Sequence, residues 1–328
     1  MKRITVIIVN WNGKRFLSEC LNALRNQTCQ DFSIILADNG SEDGSADFVS
    51  QNFPEVRLIR LSHNTGFAVA NNIALKQVDT EYAALLNNDA VAEKTWLETL
   101  VHALDTHADV GFAASKMLFY DAPQIIDRVG DAYSDAGTGL LRGRGMPAAS
   151  YDVPDRIFGA CAGAALYRMS MLNEIGVFDE DFFLLYEDVD LSFRAQLSGY
   201  QCLYVPKAVV YHKASATIVH DSATSVYFSH RNLEWAYLKN MPASLIAKTL
   251  ILHLIYDIAA CCYFAVIGKG KIFIKAKADA LKGLKTMLKK RRQIQKARKV
   301  SDDYIQCLLE KETFLPRLLR RFQKYRKG

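Results

Sequence analysis

The stretch ITVIIVNWNGKRFLSECLNALRNQTCQDFSIILADN, residues 4–39, decides the fold. ITVIIVN (4–10) is an apolar, β-branched run with no polar alternation, the pattern of a strand buried on both faces. KRFLSECLNALRNQ (14–27) then spaces Phe16, Leu17, Cys20, Leu21 and Leu24 as one face of a helix. FSIILADN (32–39) is a second buried strand. Strand, helix and strand of this kind make a parallel unit with its crossover helix packed on one face. The pattern continues. GSADFVSQNF (44–53), with Ser41 or Asp43 as cap, GFAVANNIALKQV (66–78) and TWLETLVHALDTHA (95–108) predict helices. VRLIRLS (56–62), YAALLNND (82–89) and VGFAASKMLF (110–119) predict strands. The expectation is an α/β domain with a mostly parallel sheet and helices on both faces.

Each of the first four strands ends in a polar cluster: Asn10-Trp11-Asn12-Gly13, Asp38-Asn39-Gly40-Ser41, His63-Asn64-Thr65-Gly66 and Asn87-Asn88-Asp89. One such cluster is ordinary turn chemistry. Four in succession at the carboxyl ends of parallel strands predict a binding site, because ligands of such sheets bind there. The phosphate-binding patterns GxGxxG and GxxxxGK[ST] are both absent, so neither a dinucleotide-binding domain nor a P-loop enzyme has its main signal. Residues 120–157, rich in Asp, Gly and Arg, read as a long active-site loop or short hairpins. Beyond them the small residues Gly159–Ala165 allow close backbone approach, two short helices end at Gly176 and Gly199, and CLYVPKAVVYH (202–212) is an extended run closed by a histidine.

Half of the 328 residues are hydrophobic and 23% are charged, which is globular composition and excludes disorder. The seven cysteines form no CxxC pair and no zinc spacing, so a reduced, cytoplasmic compartment with cysteines used in packing is expected, and the N-terminus has no secretory pattern. The net charge of +6 is unevenly held: residues 269–328 carry 20 Lys/Arg against 5 Asp/Glu, leaving 21 basic and 30 acidic residues elsewhere. The expected division is a catalytic domain over 1–240 and a basic helical extension over 241–328. Within the extension, LIAKTLILHLIYDIAACCYFAVI (245–267) is long and apolar, but Lys248, His253 and Asp257 interrupt it. Its helical wheel, with the basic amphipathic stretch that follows, predicts helices lying on an anionic membrane surface, with a single span or a homodimer interface as alternatives. Nucleic acid as the partner of the tail has less support, since stacking motifs and a recognition helix are absent.

Taken in order, VIIVNWNG, LADNGSEDGS, LSHNTGFAVANNIAL, LLNNDAV, GACAGAALYRMSML, FFLLYEDVDLSFRAQLSGY, VVYH and SHRNLEWAYLKNMP resemble the family 2 glycosyltransferases of GT-A fold, in their rhamnosyltransferase-like branch, over about residues 3–242. The resemblance implies a Rossmann-like sheet and the inverting transfer of a sugar from a nucleotide-diphosphate donor (dTDP-rhamnose or a UDP-sugar) to a glycan or lipid-linked acceptor. It implies that Asp38, with Asn10 and Asn64, holds the nucleotide. Asn87-Asn88-Asp89 stands where the family has its DxD motif, whose carboxylates hold Mn²⁺ or Mg²⁺ on the donor phosphates. Here Asn87 replaces the first carboxylate and Asp89 remains as direct ligand, which leaves a nucleotide-sugar-binding pseudoenzyme as an alternative. The family's VxH element offers His212 as the missing ligand, with His220 and His230 as alternatives. The ED pair Glu187-Asp188 supplies the catalytic base, Asp188, at a helix start that favours ionised carboxylates. Asp190 is placed to cap that helix or bind sugar, Arg194 to pair with the acidic cluster, and Arg231 to reach a phosphate.

Overall fold

The computed structural model describes residues 2–214 and 222–311, so His220 lies outside the described residues. The chain divides into two compact units, Met1–Asp131 with Leu141–Thr217, and Ala132–Leu140 with Ile218–Gly328. The first unit opens with β1 (Ile4–Asn10), α1 (Lys14–Arg25), β2 (Phe32–Asp38), α2 (Ser45–Asn52), β3 (Arg57–Arg60), α3 (Phe67–Leu75), β4 (Tyr82–Leu86), β5 (Ala90–Ala92), α4 (Trp96–Thr106) and β6 (Val110–Phe119). Both faces of the sheet are buried, and the side-chain period of two explains why its strands read as unbroken apolar runs. Ile4, Val6 and Ile8 of β1 pack with Leu17, Leu21 and Leu24 of α1 and with Trp96 and Leu100 of α4. Ile7 points the other way, into a core shared with Ala68 and Leu75 of α3. Burying each large side chain of this kind contributes about 1.5–3 kcal/mol.

The region expected to be a loop or hairpins forms short strands: β7 (Ala122–Arg128) and β10 (Asp155–Ile157) in the first unit, and β8 (Asp131–Ser134) and β9 (Gly139–Leu141), which fall almost wholly in the second. The first unit then closes with β11 (Ala164–Arg168), α5 (Met169–Ile175), α6 (Glu187–Leu197) and β12 (Gln201–His212). The main sheet has the order β10-β12-β6-β11-β4-β1-β2-β3, with β5 beside β12 and β7 beside β6. The pairs among β1, β2, β3 and β4 are parallel, as expected. β11 differs, lying antiparallel between β4 and β6. Two antiparallel neighbours in succession restore direction, so β6, and β12 parallel to it, end at the same edge as β1, β2 and β4. His212, the last residue of β12, is thereby carried to the edge where the polar clusters sit.

The second unit holds α7 (Ala223–Asn240), α8 (Ala243–Val266), α9 (Gly270–Lys282), α10 (Leu284–Ala297), α11 (Asp302–Leu308) and β13 (Leu309–Glu310), the last pairing with β8 in a three-stranded sheet with β9. α7, the last element of the expected catalytic domain, thus clusters with the helical extension. Ser222 caps α7 by accepting from the Ser225 amide, and Arg291 of α10 donates to the carbonyls of Leu238 and Met241 at its other end. Trp235 of α7 donates to Ala280 O of α9, and Tyr237 stacks on His253 of α8 with ring centroids 4.1 Å apart.

Candidate active site

The ends of β1 and β2 are in register, Asn10 opposite Asp38. Asn10 Nδ2 donates to Asp38 Oδ1 at 3.0 Å, and Asn88 Nδ2 donates to Asn10 Oδ1 at 2.7 Å, so one buried chain of hydrogen bonds joins three strand ends. Gly13 makes room for it, since a Cβ there would strike both Asn88 and Asn10. Asp38 Oδ2 accepts the Ser41 amide, three residues on, at 3.1 Å, a local side-chain-to-backbone bond that uses the second oxygen within the chain. Asn64 Oδ1 accepts from Asn39 Nδ2 and from the Gly66 amide. Asn39 also holds Thr65 through that residue's amide and hydroxyl, which makes it the tie between the second and third clusters. Nothing in the spacing singled out Asn39 from its neighbours.

Asp89 and His212 meet. The antiparallel pairing of β12 with β5 sets His212 opposite Ala90, and its Nε2 lies 3.2 Å from Asp89 Oδ1. Asn87 Nδ2 is 3.3 Å from the same nitrogen. On its other side, His212 Nδ1 donates to Asp127 Oδ2 at 2.8 Å, and Arg144 pairs with the second oxygen of Asp127. Asp127 and Arg144 sit in the segment read only as an Asp-, Gly- and Arg-rich loop, so their type was visible and their target was not. Burial works against charge on His212, but its hydrogen bonds to Asp127 and Asp89 outweigh that and push its pKa up to about 9. The pocket therefore favours a cation, a proton or a metal, between carboxylates. A separation of 3.2 Å between ligand atoms suits neighbouring vertices of an octahedron, whose edge is about 3 Å for metal–ligand bonds near 2.1 Å. A carboxylate behind the metal-facing histidine is the usual way to fix ring and tautomer. The residues present fit a divalent ion.

Glu187 and Asp188 open α6. The residues before them are strained: Phe183, Leu185 and Tyr186 all take left-handed backbone angles, with φ of 61°, 67° and 70°. Such residues cost about 1–3 kcal/mol each and persist where the surroundings hold them. Phe183 O accepts the Phe67 amide at 2.7 Å, which pins the strained turn to the start of α3. Asp188 Oδ2 lies 3.8 Å from Arg128 Nη1, which also contacts Asp131 Oδ1 at 3.2 Å. Asp131 was not anticipated. Burial, opposed by Arg128 and reinforced by the negative charge of Asp188, raises its pKa to about 7. Burial, with the Asp188 charge second, also raises the Glu187 carboxyl well above its ordinary value. Asp190 and Arg194 form a buried pair at 2.9 Å, and Arg194 donates to the carbonyls of Ile175, Gly176 and Val177. Of the roles open to these two, helix anchoring is the one their contacts serve. Gly159 permits close packing of its segment on α6, because a Cβ there would collide with Ser192. Arg231 is on α7 in the second unit, with its guanidinium 4.1 Å over the Trp235 ring. His230 is also in that unit, among Phe264 and Phe273.

A model of glycosyl transferase family 2 matches residues 5–176, more than half the chain. The chain belongs to glycosyl transferase family 2. A relative within the family, the N-acetylglucosaminyl-diphospho-decaprenol L-rhamnosyltransferase of Mycobacterium tuberculosis, is 27% identical over 272 residues, covering 71% of this chain and 86% of the relative. Glycosyltransferase GlyG of Streptococcus pneumoniae is 30% identical over 112 residues, 33% of this chain and 37% of its own. Among solved structures, the mannosyltransferase PcManGT of Pyrobaculum calidifontis, in complex with GDP-Man and Mn²⁺, superposes with a TM-score of 0.53 at 18% identity, covering 92% of this chain and 84% of that one. GalNAc-T7 with UDP, GalNAc and Mn²⁺ gives 0.58 at 15% identity, covering 79% and 58%. The fold is GT-A, and the chain is a glycosyltransferase of this family.

Proposed function

We propose that this glycosyltransferase is an inverting, divalent-metal-dependent enzyme that moves a sugar, rhamnose favoured, from a nucleoside diphosphate to a hydroxyl of a lipid-linked glycan at the cytoplasmic face of a membrane. The observation that carries the reading is the 3.2 Å approach of His212 Nε2 to Asp89 Oδ1 at the same sheet edge as Asn10, Asp38 and Asn88. Asp89 and His212 hold Mn²⁺ or Mg²⁺, which when bound offsets the charge of the departing diphosphate. Asp127, backed by Arg144, aims His212. Asn10, Asp38 and Asn64 form the floor of the nucleotide pocket, and Asn87 and Asn88 its wall toward the phosphates. Asp188 accepts the acceptor hydroxyl proton as that oxygen attacks the anomeric carbon and the bond to the diphosphate breaks. One displacement from the opposite face inverts the configuration. Glu187, buried next to Asp188, supports the base or contacts the sugar. The named activity of the mycobacterial relative supports rhamnose and a polyprenyl diphosphate glycan acceptor.

The test is nucleoside diphosphate release from a panel of dTDP-, UDP- and GDP-sugars, with Mn²⁺, with Mg²⁺ and with EDTA. The reading expects turnover of one donor class, lost in EDTA and restored by metal. Equal turnover in EDTA overturns the metal assignment, and binding of no nucleotide sugar overturns the reading as a whole.

A further inference from the structure

α8 is built inside out. At 100° per residue, Leu250, Ile251, Leu254, Ile255, Ile258, Cys262 and Val266 fall within an arc of about 160°, and all are exposed; Ile251 is 73% and Ile258 65% accessible. The opposite arc holds Thr249, His253 and Asp257 beside the buried Ala260 and Phe264. Those inward polar groups are matched. His253 Nδ1 donates to Ala136 O at 2.7 Å, its Nε2 lies 3.2 Å from Glu234, and Lys277 of α9 pairs with both Glu234 and Asp257. Thr249 meets the Tyr237 hydroxyl at 2.8 Å. Among the described residues the apolar side thus stays exposed, in a helix whose inward polar groups are engaged, and an apolar row of this extent marks an interaction surface.

α9, which packs on α8 through Phe273 and Phe264, exposes a row of different character. Ile274, Ala278 and Leu281 form an exposed row, and Lys271, Lys275 and Lys282 run alongside it. Together α9 and α10 carry ten Lys/Arg and one Asp. Charge selects the occupant. A second copy seated here would bring two strongly basic surfaces together, whereas anionic lipid headgroups would neutralise them. The orientation follows as well. α8 has the length and apolarity to cross a bilayer, but its inward face is tied to α7 and α9, and α9 exposes lysines that hydrocarbon does not accept.

We propose that α8 and α9 seat their outward apolar rows in the interface of an anionic membrane, lying in its plane and not across it. This rests on the membrane location proposed above and names the surface that makes it. The test is flotation of the full chain with phosphatidylcholine vesicles, with and without phosphatidylglycerol, for the wild type and the double variant Ile251→Glu/Ile258→Glu. Melting temperature and donor nucleotide binding serve as fold controls. Wild type should bind the anionic vesicles, more weakly at high salt, and release in alkaline carbonate. The double variant should bind at least tenfold more weakly with both controls unchanged. Undiminished binding by that variant overturns the α8 face and leaves the membrane location standing. Absence of wild-type binding overturns both, without touching sugar transfer. Retention through carbonate shows a span and overturns the in-plane placement. A dimer broken by the double variant, without vesicle binding, assigns the face to a second copy and overturns the proposal.

Discussion

Two carboxylate–histidine–carboxylate groups of nearly the same composition occupy the two units of this chain. At the sheet edge, Asp89 and Asp127 flank His212. In the helical unit, Glu234, His253 and Asp257 bring one ligand atom each within 4.8 Å of the others, the tighter cluster by spacing. What separates them is where the compensating cation sits. Lys277 reaches both carboxylates of the helical cluster, so its positive charge is already supplied by the protein. At the sheet edge Arg144 satisfies Asp127, while Asp89 has, among the described residues, no lysine or arginine partner. One cluster is closed around its own charge and stabilises a helical unit. In the other, His212 alone stands between Asp89 and Asp127, with no lysine reaching Asp89 among the described residues. Ligand-type residues at short range are therefore a poor guide to a metal site until the nearby lysines and arginines have been placed.

The largest effect is expected at the base proposed for the catalytic unit. Asp188→Asn should lower transfer by about 10²–10⁴-fold while nucleotide affinity stays the same, measured by product release and calorimetry in parallel. Full activity in that variant removes Asp188 from the chemistry. Breaking the closed cluster comes next. Lys277→Ala leaves Asp257 without its ion partner and Glu234 with His253 alone, a destabilisation of about 1–3 kcal/mol for partly buried groups, read as a fall in melting temperature. Added Zn²⁺ should recover part of it, because the cluster then has ligands and no cation. No recovery with Zn²⁺ would show that the cluster lacks ligand geometry even when vacated. Asp127→Asn should weaken metal binding by about 10–100-fold through the lost aim of His212, together with a fall in melting temperature from the lost Arg144 ion pair. A smaller effect is the acid dependence of the closed cluster. Glu234 is held down near 2, its burial outweighed by His253 and Lys277, against an unfolded value of 4.5. Its contribution is therefore complete above pH 4.5 and is lost as pH falls from there through about 2. Glu234→Gln should flatten the acid limb of a melting-temperature profile, and an unchanged limb would assign that limb elsewhere.

The frame of the catalytic unit was legible because its strands are buried on both faces and its helices carry one apolar stripe each. Those are one-dimensional signals, and β1 to β4 and β6 follow them closely, whereas the three-residue β5 was not anticipated. The order of strands was less so. β11 is as apolar as its neighbours, and nothing in AALYR records that it runs antiparallel to them. The site split the same way. Asn10, Asp38, Asn88 and Asp89 could be found because strand ends gather at one edge by topology. His212 could be found from the resemblance to the family, and its approach to Asp89 depends on a pairing between residues more than a hundred apart. Asp127, Arg144 and Asp131 were out of reach, since they act through short strands whose sequence has turn composition. The polar interruptions of α8 were visible as a cluster on the wheel, but their partners Glu234 and Lys277 lie on other helices, so the inside-out character of α8 came from the fold alone.

The account stands most directly on Mn²⁺ binding measured by calorimetry in the presence of the preferred nucleoside diphosphate, for wild type, His212→Ala and Glu234→Gln. It predicts one metal site, weakened at least tenfold by His212→Ala and unchanged by Glu234→Gln. Mn²⁺ binding that ignores the loss of His212, or that disappears with Glu234, would contradict it.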